Sequence, residues 1–364
     1  MHPGPRPENA VDFWRGVALV MIFIDHIPGN IYSYATLRNF AICDAAELFV
    51  LLAGWSCSYA TGGALKPDTA PRVAFRLLSR AVEIYRAQIV ITAIALAMLA
   101  TMAISRDNPL FLEWHNASVA FYDPVRASLG TVLLSYQLSY FNILPLYVVI
   151  LIMAPVFVLL GRLSLAALVA VSLTVYLGAI FSQTNMPSWP APDTWYFNPF
   201  SWQVLFVAGF AAAEATQRSE WYMELARRLI PYAAALVLVG LIIRLIEYWP
   251  DPLQVPEPRL LFLFDKTFLS PVRLLNVFAL VVAFHTVYQA LQPYMPCISR
   301  RVCALGRNSL AVFCVGSLAA LAGQLGRFVM EGSIVVDTLM LVLGLWVLGI
   351  TAWFVEWRSR SRSP

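Results

Sequence analysis

The chain has 364 residues, of which 60% are hydrophobic and 13% charged, with a formal net charge of +4. A soluble domain carries about a quarter charged residues, so this composition excludes a soluble globular class, and the small positive excess fits loop bias around membrane helices rather than nucleic-acid binding. Apolar stretches of about 20 residues recur throughout, the length at which a helix spans a bilayer core, while the absence of strand-like alternation excludes an outer-membrane barrel.

The expected fold is all-α, a polytopic membrane bundle of about ten transmembrane helices forming one domain over 1–364. In chain order the spans fall near 12–28, 45–62, 84–104, 141–161, 163–183, 201–216, 230–248, 270–291, 308–330 and 334–356. Residues 17–24 resemble the apolar core of a signal peptide, but Asp25 and His26 follow at once and the basic flank is thin. The segment therefore reads as a retained first helix. Residues 131–140 are too short and polar to count as a span. The five cysteines contain no CxxC and give an odd total, so they read as structural thiols rather than a framework. Residues 1–11 form an N-terminal cytoplasmic segment, and 357–364 form a basic cytoplasmic tail.

Orientation follows from Lys and Arg placement. With the N-terminus inside and ten spans, 17 basic residues fall inside: Arg6, Arg15, Lys66, Arg72, Arg76, Arg80, Arg86, Arg162, Arg218, Arg227, Arg228, Arg300, Arg301, Arg307, Arg358, Arg360 and Arg362. Eight fall outside: Arg38, Arg106, Arg126, Arg244, Arg259, Lys266, Arg273 and Arg327. Both termini are therefore expected in the cytoplasm. The longest connections, 105–140, 184–200 and 249–269, then lie outside and are rich in aromatics such as Trp114, Trp189, Trp195, Tyr196 and Trp249. Such rings form an interfacial belt; they also offer stacking faces for sugars.

An ionisable residue inside a membrane helix is costly and points to function. The first span carries Asp12, Arg15, Asp25 and His26. The steps from Arg15 to His26 turn about 1,100°, three turns plus about 20°, so the two share a face about 16 Å apart. Histidine moves protons near neutral pH, although a helix-end histidine can equally bond a nearby carbonyl. The second span opens with Asp44-Ala45-Ala46-Glu47. Glu47 enters at the depth of His26 and could orient its ring; the same Asp-x-x-Glu spacing also makes a capping box, and one residue can serve both purposes. Arg72, Arg76 and Arg80, followed by Arg86, approach the third span as a stripe suited either to donor phosphates or to lipid headgroups. Asn142, Gln203 and His285 are polar residues in or near spans, where bundle packing is the plainer role.

The chain resembles the acyltransferase-3 superfamily of membrane acyltransferases, whose first helix carries an Arg and a His separated by ten residues. The matching pair is Arg15 and His26 within DFWRGVALVMIFIDHIPGN. More specifically it is similar to the OpgC branch, named for succinyl modification of osmoregulated periplasmic glucans. That similarity rests on DAAELFVLLAGWS at 44–56, NILPLYVVIL at 142–151, WYFNPFSWQVLFVAGF at 195–210 and LGRNSLAVFCVGS at 305–317. The resemblance implies a bundle in the bacterial inner membrane that passes an acyl group, succinyl or acetyl, from cytoplasmic acyl-coenzyme A to a glycan hydroxyl outside. It implies no tightly bound cofactor; acyl-coenzyme A is a substrate. It aligns His26, Arg15 and Glu47 with the family's histidine, arginine and second-helix carboxylate. Asp25 joins His26 and Glu47 as a catalytic candidate. Arg15, Arg80, Arg86, Asn142, Gln203, Arg307 and Asn308 are substrate-binding candidates. The rival readings are a transporter or flippase, or a non-catalytic partner of a glycan-export system.

Overall fold

The computed structural model describes residues 8–63 and 68–361. Arg6, Lys66 and Arg362 of the charge count, and the ends of the N-terminal segment and the tail, lie outside the described residues. Among the described residues the regular structure is helical apart from one two-residue antiparallel ladder, Pro187–Ser188 with Asp193–Thr194. The principal helices are α1 (Ala10–Asp25), α2 (Ala45–Ala60), α3 (Ala70–Ser105), α4 (Ile143–Leu163), α5 (Leu165–Ser182) and α6 (Pro199–Arg218). They continue with α7 (Trp221–Leu245), α8 (Pro271–Phe284), α9 (Pro296–Arg307), α10 (Ser309–Val329) and α11 (Ile334–Ser361). A helix thus occupies every interval predicted as a span. Among the described residues, seven stretches are long and apolar enough to cross a membrane: α3, α4, α5, α7, Pro271–Leu291, α10 and α11.

Local sequence explains the helix starts. Asn9 accepts the Asp12 N–H at 2.9 Å and opens α1. Ser164 ends α4 and accepts the Ala167 N–H at 3.1 Å, so one residue separates α4 from α5. Asn198 accepts the Phe200 N–H at 3.0 Å, with Pro199 in the first turn of α6. Such caps satisfy backbone donors that the helix leaves open.

Two differences from the expected elements stand out. The third span was expected from residue 84, but α3 is continuous over 36 residues. That is about 54 Å of helix against a bilayer core of about 30 Å, so the basic stripe rides on the span helix itself. The connection between the eighth and ninth spans contains a further helix, α9, in which the consecutive polar residues Ser299, Arg300 and Arg301 are flanked by apolar ones.

The described residues form two compact units. One comprises Met1–Leu52, Trp221–Tyr248 and Leu275–Pro364. In it α1 packs against α9 and α10, and α10 against α11. The α1–α9 crossing is backbone to backbone. A Cβ on Gly16 would lie 2.1 Å from the Val302 carbonyl oxygen, and one on Gly306 would lie 1.8 Å from that of Asp12. Small residues allow such approach between membrane helices. Exposed Leu236, Val239 and Ile242 on α7, and Val342, Leu343 and Trp346 on α11, are lipid-type surfaces.

The other unit comprises Ala53–Glu220 and Trp249–Leu274. Here α3 packs against α4, α5 against α6, and α4 against both α5 and α6. Gly54 abuts the Phe206 carbonyl, which a Cβ would approach to 1.8 Å. Buried Trp202 donates its indole N–H to the carbonyls of Lys266 at 3.0 Å and Thr267 at 3.2 Å, pinning the 249–274 segment onto α6.

Candidate functional site

In the first unit, Arg15 leaves α1 and donates a hydrogen bond to the hydroxyl of Ser309, the first residue of α10. Its guanidinium also stands 5.8 Å from the ring centroid of Phe49 on α2, a cation–π distance. Phe49 in turn stacks on Phe313 of α10 at 6.4 Å. Next to Ser309, Asn308 donates to the Glu356 carboxylate at 3.4 Å, and Arg307 donates to it at 3.0 Å. Arg15, Arg307 and Asn308 are therefore assembled at one end of α10, with Glu356 of α11 facing the latter two.

The other end of α1 meets the other end of α10. His26 is the C-cap of α1 and half-buried. Its carbonyl accepts the side-chain amide of Gln324. Arg15 pairs with Ser309 and His26 with Gln324, so α1 and α10 run parallel. Asp25 accepts the Thr36 hydroxyl at 2.6 Å. Beyond it, Arg327 donates to buried Asp337 at 2.7 Å and to the Gly29 carbonyl at 2.6 Å, while Asp337 also accepts the Ile31 N–H at 3.0 Å. This ion pair fixes the turn that follows His26. Glu47 is fully buried, and its carboxylate accepts the Asp44 N–H at 3.1 Å, with Asp44 accepting the Ala46 N–H at 2.9 Å. The capping reading of Asp-x-x-Glu is thus realised in the structure.

A family model described as OpgC protein matches residues 8–360. The chain belongs to the OpgC family. No curated protein and no solved structure matches it. OpgC membership suggests a membrane glucan-modifying acyltransferase, and the seven apolar helices make this OpgC chain a multi-pass membrane protein.

The remaining candidates of this OpgC chain lie in the second unit. Arg80 pairs with Glu83 at 2.6 Å, and Arg86 is exposed on α3. Arg76 and Arg72 bond Asp68 at 2.5 and 3.5 Å, and Arg162 donates to the Asp68 carbonyl at 2.5 Å. Partial desolvation pushes the Asp68 carboxyl up, but the hydrogen bonds and charges of Arg76 and Arg72 outweigh it and hold the pKa below the usual value. Much of the stripe is therefore engaged in local ion pairs. Gln203 is fully buried; it accepts the Ser172 hydroxyl at 2.7 Å and donates to the Ser172 carbonyl at 2.9 Å, which ties α6 to α5. Asn142 occupies the N-cap of α4, yet its side chain makes no cap hydrogen bond. It lines a polar cavity with Gln137 and Tyr196.

Sequence reasoning did not single out Ser309, Gln324, Asp337 or Glu356. Asp337 carried a usable signal, since a carboxylate within an apolar span demands a partner. Ser309 and Gln324 carried none, because uncharged polar residues are ordinary in membrane helices.

Proposed function

We propose that this OpgC-family chain is an O-acyltransferase that moves a succinyl or acetyl group from cytoplasmic acyl-coenzyme A to a glycan hydroxyl across the bacterial inner membrane. The single domain would contribute ten spans, with both termini in the cytoplasm. The observation that carries this reading is the pairing of Arg15 and His26 at opposite ends of one helix in a chain matched to OpgC over 8–360. The ends differ in chemistry: Arg15 stands with Arg307 and Asn308, while the His26 end carries Asp25, bonded to Thr36, and the Arg327–Asp337 ion pair.

In the proposed reaction His26 takes the proton of the acceptor hydroxyl. The oxygen attacks the thioester carbonyl, the C–S bond breaks, and the coenzyme A thiolate leaves as the thiol, with the proton taken up by His26 released to balance it. Asp25 or Glu47 holds the imidazole in position and favours its charged form. Arg15, with Arg307 and Asn308 in the same unit, or alternatively the basic entry to α3 with Arg80 and Arg86, supplies donors for the phosphates of the thioester substrate. Asn142 and Gln203 remain substrate-binding candidates, although the bonds of Gln203 favour a packing role.

The test is incubation of purified protein in lipid with radiolabelled succinyl- or acetyl-coenzyme A and glucan. Label transferred to the glucan as an alkali-labile ester is the expected result. Vectorial movement of either substrate without thioester consumption would replace the enzyme reading with a transporter.

A further inference from the structure

Three connections that the charge count places on one side of the membrane build a single cavity within the second unit. Its lining includes Gln137 from 105–140, Asp193, Trp195 and Tyr196 from 184–200, Thr267 from 249–269, and Asn142 at the start of α4. The cavity encloses ≈ 180 Å³. That is well above the roughly 10–15 Å³ needed to hold a single water and below the roughly 300–1,000 Å³ of pockets that enclose a drug-sized molecule. It suits one sugar ring rather than an extended chain.

The lining chemistry is that of polyol recognition. Amides, hydroxyls and one carboxylate offer both donors and acceptors, and the Tyr196 ring offers a flat apolar face. Asn142 makes no cap bond, so its amide is not engaged by the helix it begins. Gln137 donates its Nε2 to the Leu134 carbonyl at 2.8 Å, which fixes the amide. Trp195 is buried, whereas Tyr196 is 48% exposed. Asp193 is the one charged lining residue. Lys266 sits 5.8 Å from the Tyr196 ring centroid and 5.6 Å from that of Phe197, held against the rings. A carboxylate and no lining cation disfavour an anionic ligand.

We infer that this cavity binds one neutral glucosyl unit of the acceptor glycan. The inference deepens the acyl-transfer reading and rests on it for the word acceptor; the binding itself stands apart from catalysis. The test titrates the protein in lipid nanodiscs with unmodified glucotrioses of different linkage, and with a uronic-acid trimer as anionic control. Binding is read by calorimetry and acyl transfer on the same preparation. The expected result is binding of a neutral trimer and none of the anionic one. Asn142→Ala should weaken binding by about three- to tenfold through one lost hydrogen bond, with the thermal midpoint unchanged because no cap is lost. Tyr196→Ala should weaken it comparably and Tyr196→Phe should restore it, since the ring face carries the contact. In transfer assays these variants should raise KM for glucan and leave kcat. Absence of glucotriose binding, equal binding of the anionic trimer, or unchanged affinity in both alanine variants would overturn the cavity assignment, even where wild-type transfer is active. Variant-sensitive binding without any transfer would sustain the cavity and remove the enzyme reading instead.

Discussion

Arg15 and Ser309 lie 294 positions apart, and a guanidinium-to-hydroxyl bond joins them where α10 begins. At the far end of the same helix pair, Gln324 donates to the carbonyl of His26. The arginine and the histidine are thus held to one partner helix at both ends. Their separation is set by the length of α1 and braced by α10. A motif spacing that looks like a property of one segment is maintained by a segment near the other end of the chain.

This bracing leads to a split expectation for the two residues. His26→Ala should reduce acyl transfer by about 10²–10⁴-fold, the usual cost of a lost general base, with acyl-coenzyme A affinity little changed. The bond to Gln324 uses the backbone carbonyl of His26, so it survives this substitution. Arg15→Ala should weaken donor binding first. Paired titration and turnover measurements on both variants check this; substantial transfer by His26→Ala would remove the proposed base.

Glu47 is buried and caps α2 through the Asp44 N–H. A glutamine keeps an acceptor oxygen at that position but cannot stabilise an imidazolium. Glu47→Gln is therefore expected to fold with a near-normal thermal midpoint and to lose most transfer. Glu47→Ala should also lose about 1 kcal/mol of stability, from the missing cap. Normal turnover in the glutamine variant would leave capping as the role of this carboxylate.

The α1–α9 crossing leaves no room at Gly306, where a Cβ would lie 1.8 Å from the Asp12 carbonyl oxygen. Neither backbone can yield without shifting a helix. Gly306→Ala should cost at least about 1–3 kcal/mol, the range for overpacking. It should also disturb Asn308 and Ser309 just beyond it. A fall in thermal midpoint together with weakened acyl-coenzyme A binding is expected; a midpoint equal to wild type would contradict the crossing.

Topology can be read with a native side chain. Cys297 on α9 is exposed, while Cys43, Cys57 and Cys303 are buried and Cys314 is intermediate. With both termini in the cytoplasm, a membrane-impermeant maleimide should label Cys297 in inverted vesicles and leave it unmodified in intact spheroplasts. A Cys297→Ser variant identifies the labelled site. Labelling in intact spheroplasts would invert the proposed orientation.

Runs of about 20 apolar residues were enough to locate the helices, because a bilayer core sets that length and forces backbone hydrogen bonding within the segment. Asp44-Ala45-Ala46-Glu47 was legible as a helix start because a capping box is local. The alignment of Arg15 and His26 followed from helix geometry alone. Partner choice was not legible. Lipid tails are as apolar as the side chains of a helix interface, so the pattern of Leu, Val and Ile does not mark which face meets protein. Only the tertiary structure decided that α1 runs parallel to α10, that Gly16 and Gly306 carry the α1–α9 crossing, and that Asp337 answers Arg327. The cavity under Asn142 and Tyr196 is of the same kind. Its walls come from three connections far apart in sequence, and no local rule of propensity or spacing brings them together.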